Sequence, residues 1–504
     1  MNAPARWSTV VAAFLAALWL PASLGMTPDA SWLLTVAERT LDGEILYRDI
    51  LEYNPPFSVW IYTGPAFASA LTGLSSESFL HLQFALVFWL SFVLSALILR
   101  AGGRLRPTEW RIMALAWVLM FVLFPLQTFL QREHFAIMAL MPWLALQAAR
   151  WEKVGRFRAS PWMIVAGGVS CSLIVLNKPY YVLTVVVPVA AMALHQRSLR
   201  PFFHVENLIG GAIALAYGAY VLRFHADYFG LLNETLRTVY LPVRTPEADI
   251  LFRACAAAIV VALAAWRTPA HWPAETVMLT LSAIGHLAGT VVMGKTFTYH
   301  ALPAMVMLGF AFLALVADDC RRNDDKPARG TPRPFFKAFA VFLVGSAFTL
   351  TSMVFLRGEA SDPHLLAYLR DRHPGASYVS ISPSYADSHP LVRLAGGSYV
   401  GPNAAMPAQS YGDILMARRP DMSAADRARI RVEIDKERRA FADAITSRQP
   451  DIVLVSERFT RGENPAWTAI ASTDAIGELY QQETRIGDIR ILVRKPAAPS
   501  GDAS

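Results

Sequence analysis

Residues 26–57, MTPDASWLLTVAERTLDGEILYRDILEYNPPF, are the stretch on which the reading of the fold turns. They carry charges and turn formers, and they lie between an apolar run at 7–25 and an uncharged run at 57–73. If both runs cross a bilayer, the stretch is a short connection. If only the first does, it opens a long external loop, 26–77. The rest of the chain decides between these. Of 504 residues, 54% are hydrophobic and only 17% charged, with a mean hydropathy of +0.35; a soluble domain carries about 25% charged residues. The apolar residues come in blocks joined by short charged loops, the pattern of a polytopic membrane protein. Disordered, fibrous and disulfide-stapled classes are excluded. Cys171, Cys255 and Cys320 have no metal or redox spacing. The net charge of +7 comes without any nucleic-acid motif and is read as bias in cytoplasmic loops, so no nucleic-acid partner is expected.

A bilayer core of about 30 Å takes roughly 20 residues of helix. Segments 7–25, 78–99, 112–130, 134–149, 160–176, 180–195, 206–223, 250–266, 274–293, 300–317 and 335–356 qualify. Basic residues then orient them. Arg100, Arg104, Arg106 and Arg111 form one group, and Arg150, Lys153, Arg156 and Arg158 a second. Arg197 and Arg200 follow, and 318–337 adds Arg321, Arg322, Lys326, Arg329, Arg333 and Lys337. All fall on the cytoplasmic side if each segment crosses once. Both ends of 26–77 are then external, and 57–73 is expected as an interfacial helix with Trp60, Tyr62 and Phe67 in the headgroup zone. The expected fold is a polytopic α-helical membrane protein of eleven spans, with the N-terminus cytoplasmic. Pro21-Ala22-Ser23 would serve as a cleavage site, but Arg6 alone supplies a positive leader, so a retained anchor is expected.

From about 357 onward charges become frequent and no apolar run reaches spanning length. Tyr378–Ile381, Asp451–Val455 and Ile489–Val493 read as strands, and Ser423 with Asp426 opens a charged helix running to about 447. The domains expected are therefore a transmembrane domain, 1–356, an extracytoplasmic α/β domain, 357–495, and a tail, 496–504.

Sorted by side, the external loops are the unusual ones. Asp29 lies just past the first span, and its plain structural reading is a cap for an amphipathic helix 30–39. Tyr47-Arg48-Asp49 and Asn54-Pro55-Pro56-Phe57 follow in the same loop. Gln131-Arg132-Glu133-His134 sets consecutive ionisable groups at the mouth of an apolar helix, which is costly unless they are solvated or used. Asn177-Lys178-Pro179-Tyr180-Tyr181 and Gly294-Lys295-Thr296-Phe297-Thr298-Tyr299-His300 each place one lysine in a tight external turn. A snorkelling cation would look the same. The loop 225–249 adds Arg237, Tyr240 and Arg244.

Cations at membrane level suit a lipid-linked phosphate. A carboxylate suits a general base for an attacking hydroxyl, and two carboxylates, here Asp29 and Glu133 with His134, could instead hold a divalent metal ion. Glycosyl transfer from a polyprenyl-phosphate sugar uses such a set. A transporter or flippase of a polyprenyl-linked or anionic solute is the alternative, although its ionisable groups would more often sit at mid-membrane in repeated halves. An O-antigen ligase or polymerase is a third reading, with 225–249 as its external loop.

The motifs together resemble the GT-C superfamily of polyprenyl-phosphate-dependent glycosyltransferases, which includes protein O-mannosyltransferases and the aminoarabinose and galacturonic acid transferases of lipopolysaccharide. That resemblance rests on Asp29 soon after span one, the Asn54-Pro55-Pro56-Phe57 step into 57–73, Glu133 in the next external loop, the Asn-Lys-Pro and Gly-Lys-x-x-x-Tyr-His strings, and an external C-terminal domain. It implies an inverting transferase of the cytoplasmic membrane. Asp29 and Glu133 would be catalytic. Arg132, Lys178, Lys295, Tyr299, His300, Arg48 and Arg237 would bind the donor phosphate, and Tyr47, Asp49, Pro55 and Pro56 would position the acceptor or the loop. One departure is plain: Asp29 is followed by Ala30, where many members carry a second acid.

Overall fold

The computed structural model describes residues 11, 12, 14, 15, 26–106, 109–151, 157–244, 246–294, 297–325, 334–356, 361–459, 466–473 and 476–496. Most of the expected first span, and Lys295, lie outside the described residues. The remaining ten expected spans each fall on helix. Among the described residues six helices are long and apolar enough to cross a bilayer: Ser76–Ala101, Pro179–Gln196, Val205–Phe224, Ala274–Met293, Thr298–Arg322 and Pro334–Leu356. Their apolar side chains point outward as well as inward. Leu82, Leu86 and Leu90 on Ser76–Ala101 are 53–63% exposed, and Leu215 is 77% exposed. Such all-round apolarity suits a lipid-facing helix.

One expected span departs from a plain helix. Instead of continuing through 112–130, the helix Trp110–Val118 passes into a π-helical turn, Leu119–Leu123, and then a 3-10 turn, Leu126–Thr128. Pro125 supplies the reason, since it has no N–H to continue the ladder. Leu126 and Leu130 then take positive φ, 47° and 64°, and the chain turns into Arg132–Arg150.

By packing, the chain divides into two compact units. The first comprises 1–26, 68–221 and 244–358 and holds the long apolar helices. Phe14, on the described part of the first apolar run, packs 4.6 Å from Phe88 there. The second comprises 27–67, 222–243 and 359–504. The composition change at 357 thus marks only the last of the three segments that make up this unit.

Within the second unit a mixed sheet forms in the order β2-β1-β3-β5-β4, from β1 (Ser377–Ile381), β2 (Ser398–Tyr399), β3 (Ile452–Ser456), β4 (Tyr480–Ile486) and β5 (Ile489–Arg494). β1 runs parallel to β2 and β3, while β5 pairs antiparallel with β3 and β4. Two of these strands have no apolar signal: β2 is too short, and β4 opens Tyr480-Gln481-Gln482-Glu483. The helix Ala424–Arg448 sets Phe441, Ala442 and Ile445 against Val379, Ile381, Val453 and Val455. Ser423 Oγ caps it by accepting from the Asp426 N–H at 3.1 Å.

The first-loop helix, Pro28–Leu41, corrects two expectations. Its cap is Thr27, whose Oγ1 accepts from the Ala30 N–H at 3.2 Å, so Asp29 stands in the first turn instead of at the cap. Nor does it keep the solvent-facing side that an amphipathic helix implies, because every residue from Ala30 to Ala37 is buried. Arg39 explains part of that: it donates to the Gly401 carbonyl at 2.6 Å and pairs with Glu44 at 2.6 Å, and Glu44 also binds Arg448 at 2.9 Å. Asn403 Nδ2 donates to the Leu51 carbonyl, and Leu51 N–H to the Pro402 carbonyl, each at 2.7 Å. The stretch expected as a loop at 225–249 is likewise helical through Ala226–Leu231 and Leu232–Tyr240. Val239 and Val243 pack against Leu415, Ile430 and Ile434 in the same unit.

Candidate active site

In the first unit, three turns far apart in sequence deliver one polar cluster. Glu133 enters from the first turn of Arg132–Arg150, where the helix dipole favours a carboxylate. Lys178 enters from the end of Pro161–Asn177. It precedes Pro179, which excludes the helical conformation, and its φ/ψ of −149°/121° turns the chain out of the helix there. Tyr299 and His300 enter from the first turn of Thr298–Asp325. Lys178 Nζ pairs with Glu133 Oε1 at 2.6 Å and also hydrogen bonds His300 Nε2. Arg132 Nε lies 3.5 Å from the same Glu133 oxygen. The Tyr299 ring receives both cations, Arg132 at 5.4 Å and Lys178 at 5.1 Å, in cation–π geometry. Arg132, Glu133 and Lys178 are 1%, 0% and 6% exposed. Charges so buried are costly unless compensated, and within this described trio positive charge is in excess.

A further group holds this cluster that the sequence did not single out. His286 is fully buried on Ala274–Met293; its Nε2 lies 2.9 Å from the His300 carbonyl and its Nδ1 3.3 Å from Thr184 Oγ1. Its ring packs 4.3 Å from that of Tyr181. Small residues make the approach possible: a Cβ on Gly289 would stand 2.7 Å from the Tyr180 carbonyl oxygen. A lone histidine in an apolar run reads as core, so only the fold reveals its partners.

Asp29 belongs to the second unit. It is half-buried, one helical turn before Trp32. The Trp32 indole donates to Glu52 Oε2 at 2.6 Å and meets the Tyr385 ring edge-on at 6.4 Å. Glu52, fully buried, accepts from the Asn54 N–H at 2.8 Å and from Asn54 Nδ2 at 2.6 Å. Burial pushes the Tyr385 phenol well above its ordinary value, and the charges of Glu52 and Asp29 add to this. Tyr53 lies against Tyr240 at 6.2 Å and Tyr240 against Tyr411 at 5.0 Å. The Tyr53 hydroxyl donates to Glu437 at 3.3 Å, a carboxylate that also accepts from the Ala408 and Gln409 N–H groups. Glu52, Tyr385 and Glu437 carry no motif in sequence; the first comes from 27–67 and the other two from 359–504, and the fold brings Tyr385 to Trp32 and Glu437 to Tyr53.

The other expected site residues are placed plainly. Arg48 pairs with Asp227 at 2.6 Å, with both side chains well exposed. Asp49 Oδ2 accepts from the Ile45 N–H at 2.7 Å and closes a turn. Tyr47, at φ 73°, donates to the Asn54 carbonyl at 2.7 Å. Pro56 opens the helix Pro56–Thr72, and Arg237 is exposed on Leu232–Tyr240. His134 packs among Phe84, Phe121 and Phe129, with Nδ1 accepting from the Leu130 N–H at 3.3 Å. As a metal set, Asp29, Glu133 and His134 fit poorly. Glu133 Oε1 is already engaged by two cations, and the His134 ring is held by aromatics. Among the described residues no three His, Cys, Asp or Glu side chains gather as metal ligands.

No protein-family model matches the chain, and no curated protein is significantly similar to it. Solved structures are similar. ArnT from Cupriavidus metallidurans bound to undecaprenyl phosphate superposes with a TM-score of 0.53 at 14% identity, over 98% of this chain and 99% of that one. Its apo state gives 0.51 at 14% identity, over 97% and 98%. Across nearly its whole length, therefore, this chain shares the fold of those ArnT structures.

Proposed function

We propose that the chain is a membrane glycosyltransferase that moves a sugar from a polyprenyl-phosphate donor to an extracytoplasmic hydroxyl, with inversion at the anomeric carbon. The observation that carries this reading is the buried assembly of Arg132 and Lys178 on Glu133 and Tyr299. A surplus of fixed positive charge in a low-dielectric site stabilises charge that develops on a leaving phosphate. Asp29 takes the proton from the acceptor hydroxyl as its oxygen attacks the anomeric carbon. The bond from that carbon to the phosphate oxygen breaks, and its electron pair leaves with polyprenyl phosphate. Glu133 fixes the position of the Lys178 ammonium, and Tyr299, His300 and Lys295 complete the donor site. Arg48 and Arg237, on the second unit, are assigned to steering the anionic donor. The chain resides in the cytoplasmic membrane by this reading, with its N-terminus inside and its second unit outside. The likeness to a structure that holds undecaprenyl phosphate supports the choice of lipid carrier.

The test is release of polyprenyl phosphate from a polyprenyl-phosphate sugar by purified protein in nanodiscs. Wild type is expected to release it in an acceptor-dependent manner, and Asp29→Asn to do so about a thousandfold more slowly while staying folded. Full activity of Asp29→Asn would overturn the assignment of the base. Sugar passage across liposomes with no release would support the transporter reading.

A further inference from the structure

The surroundings of Asp29 differ in kind from those of a phosphate site. Tyr53, Tyr240, Tyr385 and Tyr411 are all half-buried, and each of the second unit's three segments contributes at least one of them. They are linked by ring contacts or by shared electrostatics with Asp29 and Glu52. The unit's apolar core is built elsewhere, on Phe441, Ile445, Val453 and Val455 and on Ile430, Ile434 and Leu415. Of the four, Tyr411 packs against the second of these clusters, while Tyr53, Tyr240 and Tyr385 belong to neither. A phenol offers an apolar ring face with a polar tip, and the site adds carboxylates at fixed positions. That pairing matches a pyranose, which has one face of C–H groups and a rim of hydroxyls. A peptide would instead be expected to pair along a strand edge. Of the sheet's two edge strands, β4 shows Gln481, Gln482, Glu483 and Arg485, a polar edge that discourages such pairing, and β2 is only two residues long.

We propose that the acceptor is a carbohydrate and that Tyr53, Tyr240, Tyr385 and Tyr411 form its subsite beside Asp29. The proposal rests on the glycosyltransferase reading for the word acceptor, while the sugar site itself stands on the tyrosines. Its core test needs no turnover. Saturation-transfer NMR on the full-length protein in nanodiscs would use mannose, galactose, glucose and N-acetylglucosamine oligosaccharides, with Ser/Thr peptides alongside. At least one oligosaccharide is expected to receive saturation, and Tyr240→Ala or Tyr411→Ala to lose it, while Tyr368→Phe, outside the subsite, keeps it. In the transfer assay Tyr385→Phe is expected to raise the acceptor KM about tenfold and leave the donor KM within twofold. Binding of peptides only, binding of no sugar, or sugar binding unchanged in the tyrosine variants would overturn the proposal. Sugar binding with no donor turnover would instead defeat the glycosyltransferase reading and leave the sugar site standing.

Discussion

The two polar clusters are opposites in charge and in setting. The one in the first unit presents Arg132 and Lys178 around a single carboxylate, all but sealed by apolar helices. The one in the second unit presents Asp29, Glu52 and Glu437 among half-buried tyrosines. The two units thus hold their polar groups by different means: ion pairing among buried apolar helices in the first, and hydrogen bonds from tryptophan, tyrosine and backbone N–H donors in the second.

The largest expected effect breaks the first cluster. Glu133→Ala strands two cations in a dry site and is expected to cost about 3–5 kcal/mol of stability, read as a lower Tm in detergent. Asp29→Asn, in the half-exposed cluster, is expected to leave Tm within a degree or two. A double variant, Glu133→Ala with Lys178→Met, should recover part of the loss, since it removes one of the stranded charges. Equal Tm losses for Glu133→Ala and Asp29→Asn would erase the distinction between the two sites.

Next in size is the lysine by itself. Lys178→Met leaves Glu133 paired with Arg132, so folding should survive. Donor turnover should fall about a hundredfold, equal to roughly 2.7 kcal/mol of transition-state stabilisation. The acceptor KM should not move, and a matching change in acceptor KM would mean that the two sites are not separate in function. Smaller again is His286→Phe, which keeps the ring but loses both hydrogen bonds, to the His300 carbonyl and to Thr184. About a tenfold loss in donor kcat/KM is expected, with partial rescue by His286→Gln. A merely structural role would lower Tm and leave the kinetics of the folded fraction unchanged.

How much of this was legible in the sequence follows from the same contrast. Membrane helices announce themselves by continuous apolarity, and the turns that bear Arg132, Glu133 and Lys178 stand out because charge is rare there. The cluster around Glu133 was therefore readable, apart from His286, whose partners on Thr184 and the His300 carbonyl are set by helix packing. The second unit was less so. Its first-loop helix looked amphipathic because its charged residues face partners hundreds of residues away, such as Glu38 with Arg393. The cap falls on Thr27, two residues before Asp29, because both residue types form caps and local sequence does not choose between them. Glu52, Tyr385 and Glu437 are ordinary residues locally, and only long-range pairing of segments brings Tyr385 to Trp32 and Glu437 to Tyr53. The strands β2 and β4 were missed for a related reason: one is two residues long and the other is polar along most of its length.

The smallest effect expected is a pH response confined to the second unit, where two carboxyl groups pull in opposite directions. Burial raises Glu437 from 4.5 to about 7, although the Gln409 and Ala408 N–H groups, Tyr53 and Arg438 all favour its charged form. Between pH 4.5 and about 7 the folded unit therefore holds a proton that the unfolded chain has released, and stability falls as pH rises through that window. Burial also raises Glu44, but hydrogen bonds from Arg39 and Arg448 outweigh it and hold the carboxyl at about 2. Below 4.5 the unfolded chain takes up a proton that the folded unit refuses, so stability falls as pH drops toward 2. On these two groups alone the unit is most stable near pH 4.5. Hydrogen exchange of β1 and β3 as a function of pH would measure this: Glu437→Gln should flatten the alkaline limb and Glu44→Gln the acid limb. If Glu437→Gln leaves the alkaline limb as steep as in wild type, the carboxyl beside Tyr53 is not a proton-holding group and adds its negative charge to the second cluster across that window.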